Sequence, residues 1–257
     1  MMWCGRTGLG LALLLLTAVG ARAELLLDRY CDPGAASVVF MLDVTTPYDD
    51  IDRSVLRDSA LKVFDRLEGG QKFTILTIED SFSHSRRLIE ACIPFCPDGS
   101  ILDDLFSDCT EGVLLQERRA LAARLRDVLG LMLESSSELP RSDIVRTIYY
   151  AMRGDVGVAP THVDLYVFSD MLENSGFITL RDLFAGKPSA LVDMARKNDL
   201  VPSMPGASVR IFGVGRRHSE GKPELSVAEM QKLTDFWREY FTAAGAASVE
   251  ISPRFDF

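Results

Sequence analysis

Asp43 and Asp170 carry the clearest chemistry in this 257-residue chain. Asp43 closes the apolar run Ser37-Val38-Val39-Phe40-Met41-Leu42 and leads into Val44-Thr45-Thr46-Pro47. Asp170 follows a second run, Val163-Asp164-Leu165-Tyr166-Val167-Phe168, through Ser169. Two buried strands that each end in an oxygen-rich turn place acids and hydroxyls at the carboxyl edge of a parallel sheet, where open α/β sheets bind ligands. Carboxylates with short hydroxyls are hard oxygen donors, suited to a cation such as Mg²⁺.

Those acids need a sheet to hold them, and the hydrophobic pattern supplies one. Val38–Leu42, Phe73–Ile78, Val163–Phe168, Ser208–Val214 and Ala247–Ile251 read as strands, with Arg87–Cys92 as a short extra one. Helical spacing runs over Asp49–Leu67, Val113–Leu133, Ser142–Met152, most of Leu180–Lys197, and Ser226–Ala244. On the long second helix, Leu114, Leu121, Leu125, Val128 and Leu131 lie on or near one face. Strands separated by helices imply parallel pairing with right-handed crossovers and helices on both sheet faces. The exception is Leu88–Cys92, expected as an antiparallel edge strand reached by a hairpin through Ser81–Arg86. The fold class is therefore α/β: a three-layer, Rossmann-like, mostly parallel sheet with one antiparallel edge.

Residues 1–23 read as a signal peptide. Arg6 supplies the positive end, Leu9–Val19 the short apolar core, and Ala21-Arg22-Ala23 the cleavage pattern. Residues 24–257 then form a single domain, with no linker, repeat or low-complexity tract. Export, to a periplasm or the extracellular space, suits the four remaining cysteines: Cys31, Cys92, Cys96 and Cys109. Three disulfide pairings are compatible with them; the spacings are not those of a zinc finger. Loss of Arg6 and Arg22 takes the net charge from −9 to −11. That charge argues against nucleic acid and anionic membrane as partners, and no further apolar stretch is long enough to span a bilayer.

In element order, nearly the whole of 24–257 resembles the von Willebrand factor A family. That family's metal-ion-dependent adhesion site has an Asp-x-Ser-x-Ser turn after the first strand, a Thr before a middle helix and an Asp after the fourth strand. Asp43 matches the first acid and Thr45 the first hydroxyl, while Pro47 replaces the second and has no side-chain donor. Ser142, in Pro140-Arg141-Ser142-Asp143-Ile144, matches the Thr, and Asp170 the later acid. The resemblance implies Mg²⁺ or Ca²⁺ on Asp43, Thr45, Ser142 and Asp170, with an open position for an acidic side chain of a partner protein. It implies a binding or scaffold role rather than catalysis. Thr46, Asp49 and Asp50 are the candidates to compensate for Pro47. Each site residue also has a plainer role: Asp43 and Asp170 as loop or cap acids, Thr45 as a partner of loop amides, Ser142 as a helix N-cap. Asp49 and Asp50 are better placed than Asp43 to cap the helix that follows Pro47.

An enzymatic alternative uses the same residues. Asp43-x-Thr45 is similar to the nucleophile turn of haloacid-dehalogenase-like phosphatases, with Asp170 and Asn174 as an Mg²⁺-holding pair. No Lys lies between Lys72 and Lys187, so Arg141 or Arg146 would have to hold the phosphoryl group. His84, His162 and His218 have no Ser or Cys partner in the sequence pattern and read as surface residues. Gly213-Val214-Gly215 reads as a tight turn and Arg216-Arg217-His218 as a solvated basic loop. Phe236, Trp237, Tyr240 and Phe241 form an aromatic cluster for core packing, with a partner groove as the role of any ring left exposed. The oligomeric state is not legible.

Overall fold

The computed structural model describes residues 30–96, 109–154, 162–216 and 224–254. Segment 1–23, most of the cysteine-bearing loop, Arg217, His218 and the final Phe255-Asp256-Phe257 lie outside the described residues.

Six strands form one sheet: β1 Ser37–Asp43, β2 Lys72–Ile78, β3 Arg87–Cys92, β4 Val163–Phe168, β5 Ser208–Phe212 and β6 Ser248–Ser252. Their order is β3-β2-β1-β4-β5-β6, and every pair is parallel except β2 with β3. The edge strand is thus antiparallel, as the hairpin through Ser81–Arg86 requires. The order reverses between β1 and β4, which is the switch point where ligands of such sheets bind.

The strands are apolar because both faces are covered. Val38, Phe40 and Leu42 point to one layer, made by helices α1 (Asp50–Asp65) and α2 (Glu111–Ser135). Val39 and Met41 point to the other, made by α3 (Ile144–Gly154), α4 (Leu180–Ala185), α5 (Pro188–Lys197) and α6 (Val227–Ala243). On the first face Phe40 stacks on Tyr166 and Phe168, with ring centroids 4.9 and 5.5 Å apart, and Phe168 stacks on Phe212 at 5.3 Å. Arg118 of α2 donates to the carbonyls of Phe64, Asp65 and Leu67, and so caps the C-terminus of α1 with a cation.

Several elements differ from the sequence reading. The buried stripe of α2 is Leu121, Leu125, Leu129 and Leu133, a strict four-residue spacing; Leu131 is 62% exposed. Leu180–Lys197 is two helices, because Gly186 is extended and Pro188 starts a new helix at its first position, where the missing N–H costs nothing. A β-carbon at Gly186 would meet the Asp182 carbonyl at 2.7 Å, so a side chain does not fit there. β5 ends at Phe212 because Gly213 takes a left-handed turn, φ 87°. α3 begins at Ile144 rather than Ser142, which instead pairs with Asn174 in an isolated bridge.

The cysteines pair Cys31 with Cys92 and Cys96 with Cys109, which ties the stretch before β1 to the end of the edge strand. Phe236, Trp237, Tyr240 and Phe241 are all fully buried, so none is left for a partner groove.

Candidate functional site

Parallel register decides which side chains meet at the switch point. β1 and β4 pair Leu42 with Phe168, so one further step sets Asp43 beside Ser169 on the same face. The Ser169 hydroxyl donates to Asp43 Oδ2 at 2.6 Å. Thr45 donates to Asp43 Oδ1 through its backbone N–H at 2.9 Å and its hydroxyl at 2.6 Å. Ser142 reaches Oδ2 at 3.4 Å from the loop before α3. Asp43 has no solvent exposure, and its partners among the described residues are all neutral. Burial pushes its carboxyl up from the usual range, against the bonds from Ser169, Thr45 and Ser142.

Asp170 is half-buried at the lip of the same pocket. Its Oδ2 accepts from the Thr46 hydroxyl at 2.9 Å and its Oδ1 from the Leu172 amide at 2.9 Å. Tyr48 closes the base by donating to the carbonyls of Asp43, at 2.7 Å, and Phe168, at 3.2 Å, the last residues of β1 and β4. Burial, then the charges of Asp43, Asp170 and Asp52, holds the Tyr48 phenol well above its ordinary pKa, so it stays a donor.

The four residues expected from the sequence therefore converge. Thr45 and Ser142 are each bonded to Asp43, and Asp170 joins them through Thr46 and the adjacent Ser169. Thr46 and Ser169 also bond into this pocket; the motif comparison left the first open and passed over the second. Ser169 was legible from register, since it extends the β1–β4 ladder by one pair beyond Phe168. Pro47 contributes no donor; Thr46 and Ser169 bring the hydroxyls to four. Asp49 does not join the site: it caps α1, accepting from the Asp52 amide at 2.8 Å. Asp50 is in the first turn of α1, paired with Arg53.

Ser142 is not an N-cap. The first amides of α3, those of Ile144 and Val145, donate to Glu173 Oε2 at 2.8 and 2.9 Å. Burial pushes the Glu173 carboxyl up to about 8. Two backbone bonds between Ser142 and Asn174, at 3.2 and 3.0 Å, join the Asp170 loop to the Ser142 loop. The basic loop after β5 is engaged as well. Arg216 pairs with Asp52 of α1 at 2.7 Å, and Gly215 donates to the Asp170 carbonyl at 2.9 Å.

The donor chemistry fits a hard divalent cation: two carboxylates and four hydroxyls, with no Lys or Arg bonded to the Asp43 carboxylate among the described residues. No cluster of three or more His, Cys, Asp or Glu suited to a metal occurs among the described residues, so a cation here would rest on two acids plus hydroxyls and water.

The phosphatase reading is not supported. An attacking carboxylate must reach substrate, and Asp43 is wholly buried with both oxygens bonded. Asn174 is spent on the Pro140 carbonyl, at 2.6 Å, and the Leu180 amide, at 3.2 Å. Arg146 is paired with Asp143 at 2.9 Å. His84 sits exposed beside Asp80 and His162 partly exposed beside Asp164.

A mostly parallel six-stranded sheet with one antiparallel edge, helices on both faces and acids at the switch point is the architecture that the sequence resemblance implied. The fold is three-layer α/β, a mostly parallel sheet with helices on both faces. A von Willebrand factor type A protein from Catenulispora acidiphila is among 41 solved chains with a similar structure, at 12% identity and a TM-score of 0.42. The likeness covers 82% of this chain and 42% of that one, so this chain spans less than half of the other's length. No protein-family model and no curated protein matches the sequence.

Proposed function

We propose that this von Willebrand A-like chain is an exported protein-recognition module whose partner docks at the carboxyl edge between β1 and β4. In this reading Mg²⁺ or Ca²⁺ is held by Asp43, Thr45, Ser142 and Asp170, with Thr46 and Ser169 completing the hydroxyl set. The observation that carries it is the convergence of two distant acids on one hydroxyl-lined pocket at the switch point. Asp43 lies too deep to meet a partner, so it would serve the cation, while the half-buried Asp170 forms the lip. A hard cation held by few protein ligands keeps positions for water or for an outside carboxylate, and an acidic side chain of the partner is the group that would take one. Export is supported by two disulfides, which persist in oxidising compartments. Among the described residues no helix is long and apolar enough to cross a membrane.

Thermal unfolding with Mg²⁺, with Ca²⁺ and with chelator tests the cation. A ligand at one hundred times its Kd adds about 2.7 kcal/mol, which raises the melting temperature of a domain this size by about 5 °C or more. Equal melting temperatures in all three conditions would overturn the metal reading.

A further inference from the structure

Met171 is fully buried and holds a left-handed backbone, φ 60°, directly after Asp170. A long side chain in that region is strained, and such strain persists only where the surroundings over-determine it. Four bonds do so here. The Met171 amide donates to the Ser169 hydroxyl at 2.8 Å, the Asp170 carbonyl accepts from Gly215 at 2.9 Å, and the Met171 carbonyl accepts from the Glu173 amide at 3.0 Å and, from outside the turn, from the indole N–H of Trp237 at 2.9 Å. The turn reverses the chain so that the Asp170 carboxylate meets both Leu172 and Thr46. Trp237 comes from α6, its ring packed among Phe236, Tyr240 and Phe241 with centroids 4.9, 5.6 and 6.1 Å away. A phenylalanine would fill much of that apolar space. What the indole adds is one donor, and it is aimed at the strained turn.

We propose that Trp237 is a positioning residue for the Asp43–Asp170 pocket: its N–H fixes the left-handed turn at Met171 and thereby aims Asp170 at Thr46. Cation binding as the readout rests on the function proposed above; the geometry of Asp170 does not. Trp237→Phe deletes the donor and keeps an aromatic ring. Phe236→Leu, in the same helix and equally buried, perturbs the core around the indole but keeps its N–H donor.

The test measures Mg²⁺ affinity, melting temperature and hydrogen exchange at the Leu172 amide in the full chain and in both variants. Positioning partners of metal ligands typically change affinity by 10- to 100-fold. Trp237→Phe is expected to weaken Mg²⁺ binding at least about tenfold and to speed Leu172 exchange, with Phe236→Leu leaving both near wild type although it lowers the melting temperature. Unchanged Mg²⁺ affinity in Trp237→Phe would overturn the inference and leave the cation site standing. If the unmutated chain binds no Mg²⁺, the cation reading falls and Leu172 exchange decides alone: selective acceleration in Trp237→Phe upholds the positioning role, and parity with Phe236→Leu ends it.

Discussion

Asp43 and Glu173 are both acids without solvent exposure, and burial raises the pKa of each. They differ in what bonds to them. Glu173 Oε2 is held by two backbone amides of one helix end. Amides can only donate, so Glu173 is anchored as an internal cap for α3. Asp43 is surrounded mainly by hydroxyls, from three separate segments. A hydroxyl can donate to a carboxylate or turn a lone pair toward a cation. The same degree of burial thus serves structure in one place and leaves room for ligand chemistry in the other.

The largest effect should come from Asp43→Ala, which strands three buried hydroxyls and an amide. Unfolding free energy should fall by about 4 kcal/mol in denaturant titrations, and the gain from divalent cations should vanish. If the variant keeps that gain, Asp43 is no more of a ligand than Glu173 is.

Glu173 should reveal itself through pH. Its folded pKa, about 8, lies above its ordinary 4.5. Between these values the folded state holds a proton that the unfolded state has released, so stability is complete at low pH and declines as pH rises through about 8. From pH 6 to 7.5 this contribution is worth about 2 kcal/mol. Glu173→Gln should flatten that slope while leaving cation binding intact; a slope that survives would assign the pH response elsewhere.

Thr46→Val should be the mildest change. Loss of its bond to Asp170 costs about 1 kcal/mol, with a larger relative loss in Mg²⁺ affinity measured by calorimetry. Equal affinity would remove Thr46 from the site.

The fold was legible because binary patterning states it directly: the runs at Val38, Phe73 and Val163 are too apolar for anything but strands covered on both faces, and the β3 hairpin was short enough to force an antiparallel edge. The acids were legible from their places at strand ends. Ser169 and Thr46 were less so, because a motif records sequence spacing whereas their roles follow from the register of β1 against β4 and from the path of the turn after Asp43. The cap of α3 was misread because it comes from Glu173, a residue in another loop, which no local pattern near Ser142 encodes. Leu131 was misplaced on α2 because the burial stripe follows four-residue steps to Leu133.

Whether Asp43 and Asp170 share one cation-competent pocket can be seen in crystals grown with Mn²⁺ as a stand-in for Mg²⁺ and measured at the manganese absorption edge. An anomalous peak is expected among Asp43, Thr45, Thr46, Ser142, Ser169 and Asp170; an empty pocket at saturating Mn²⁺ would rule the shared cation out.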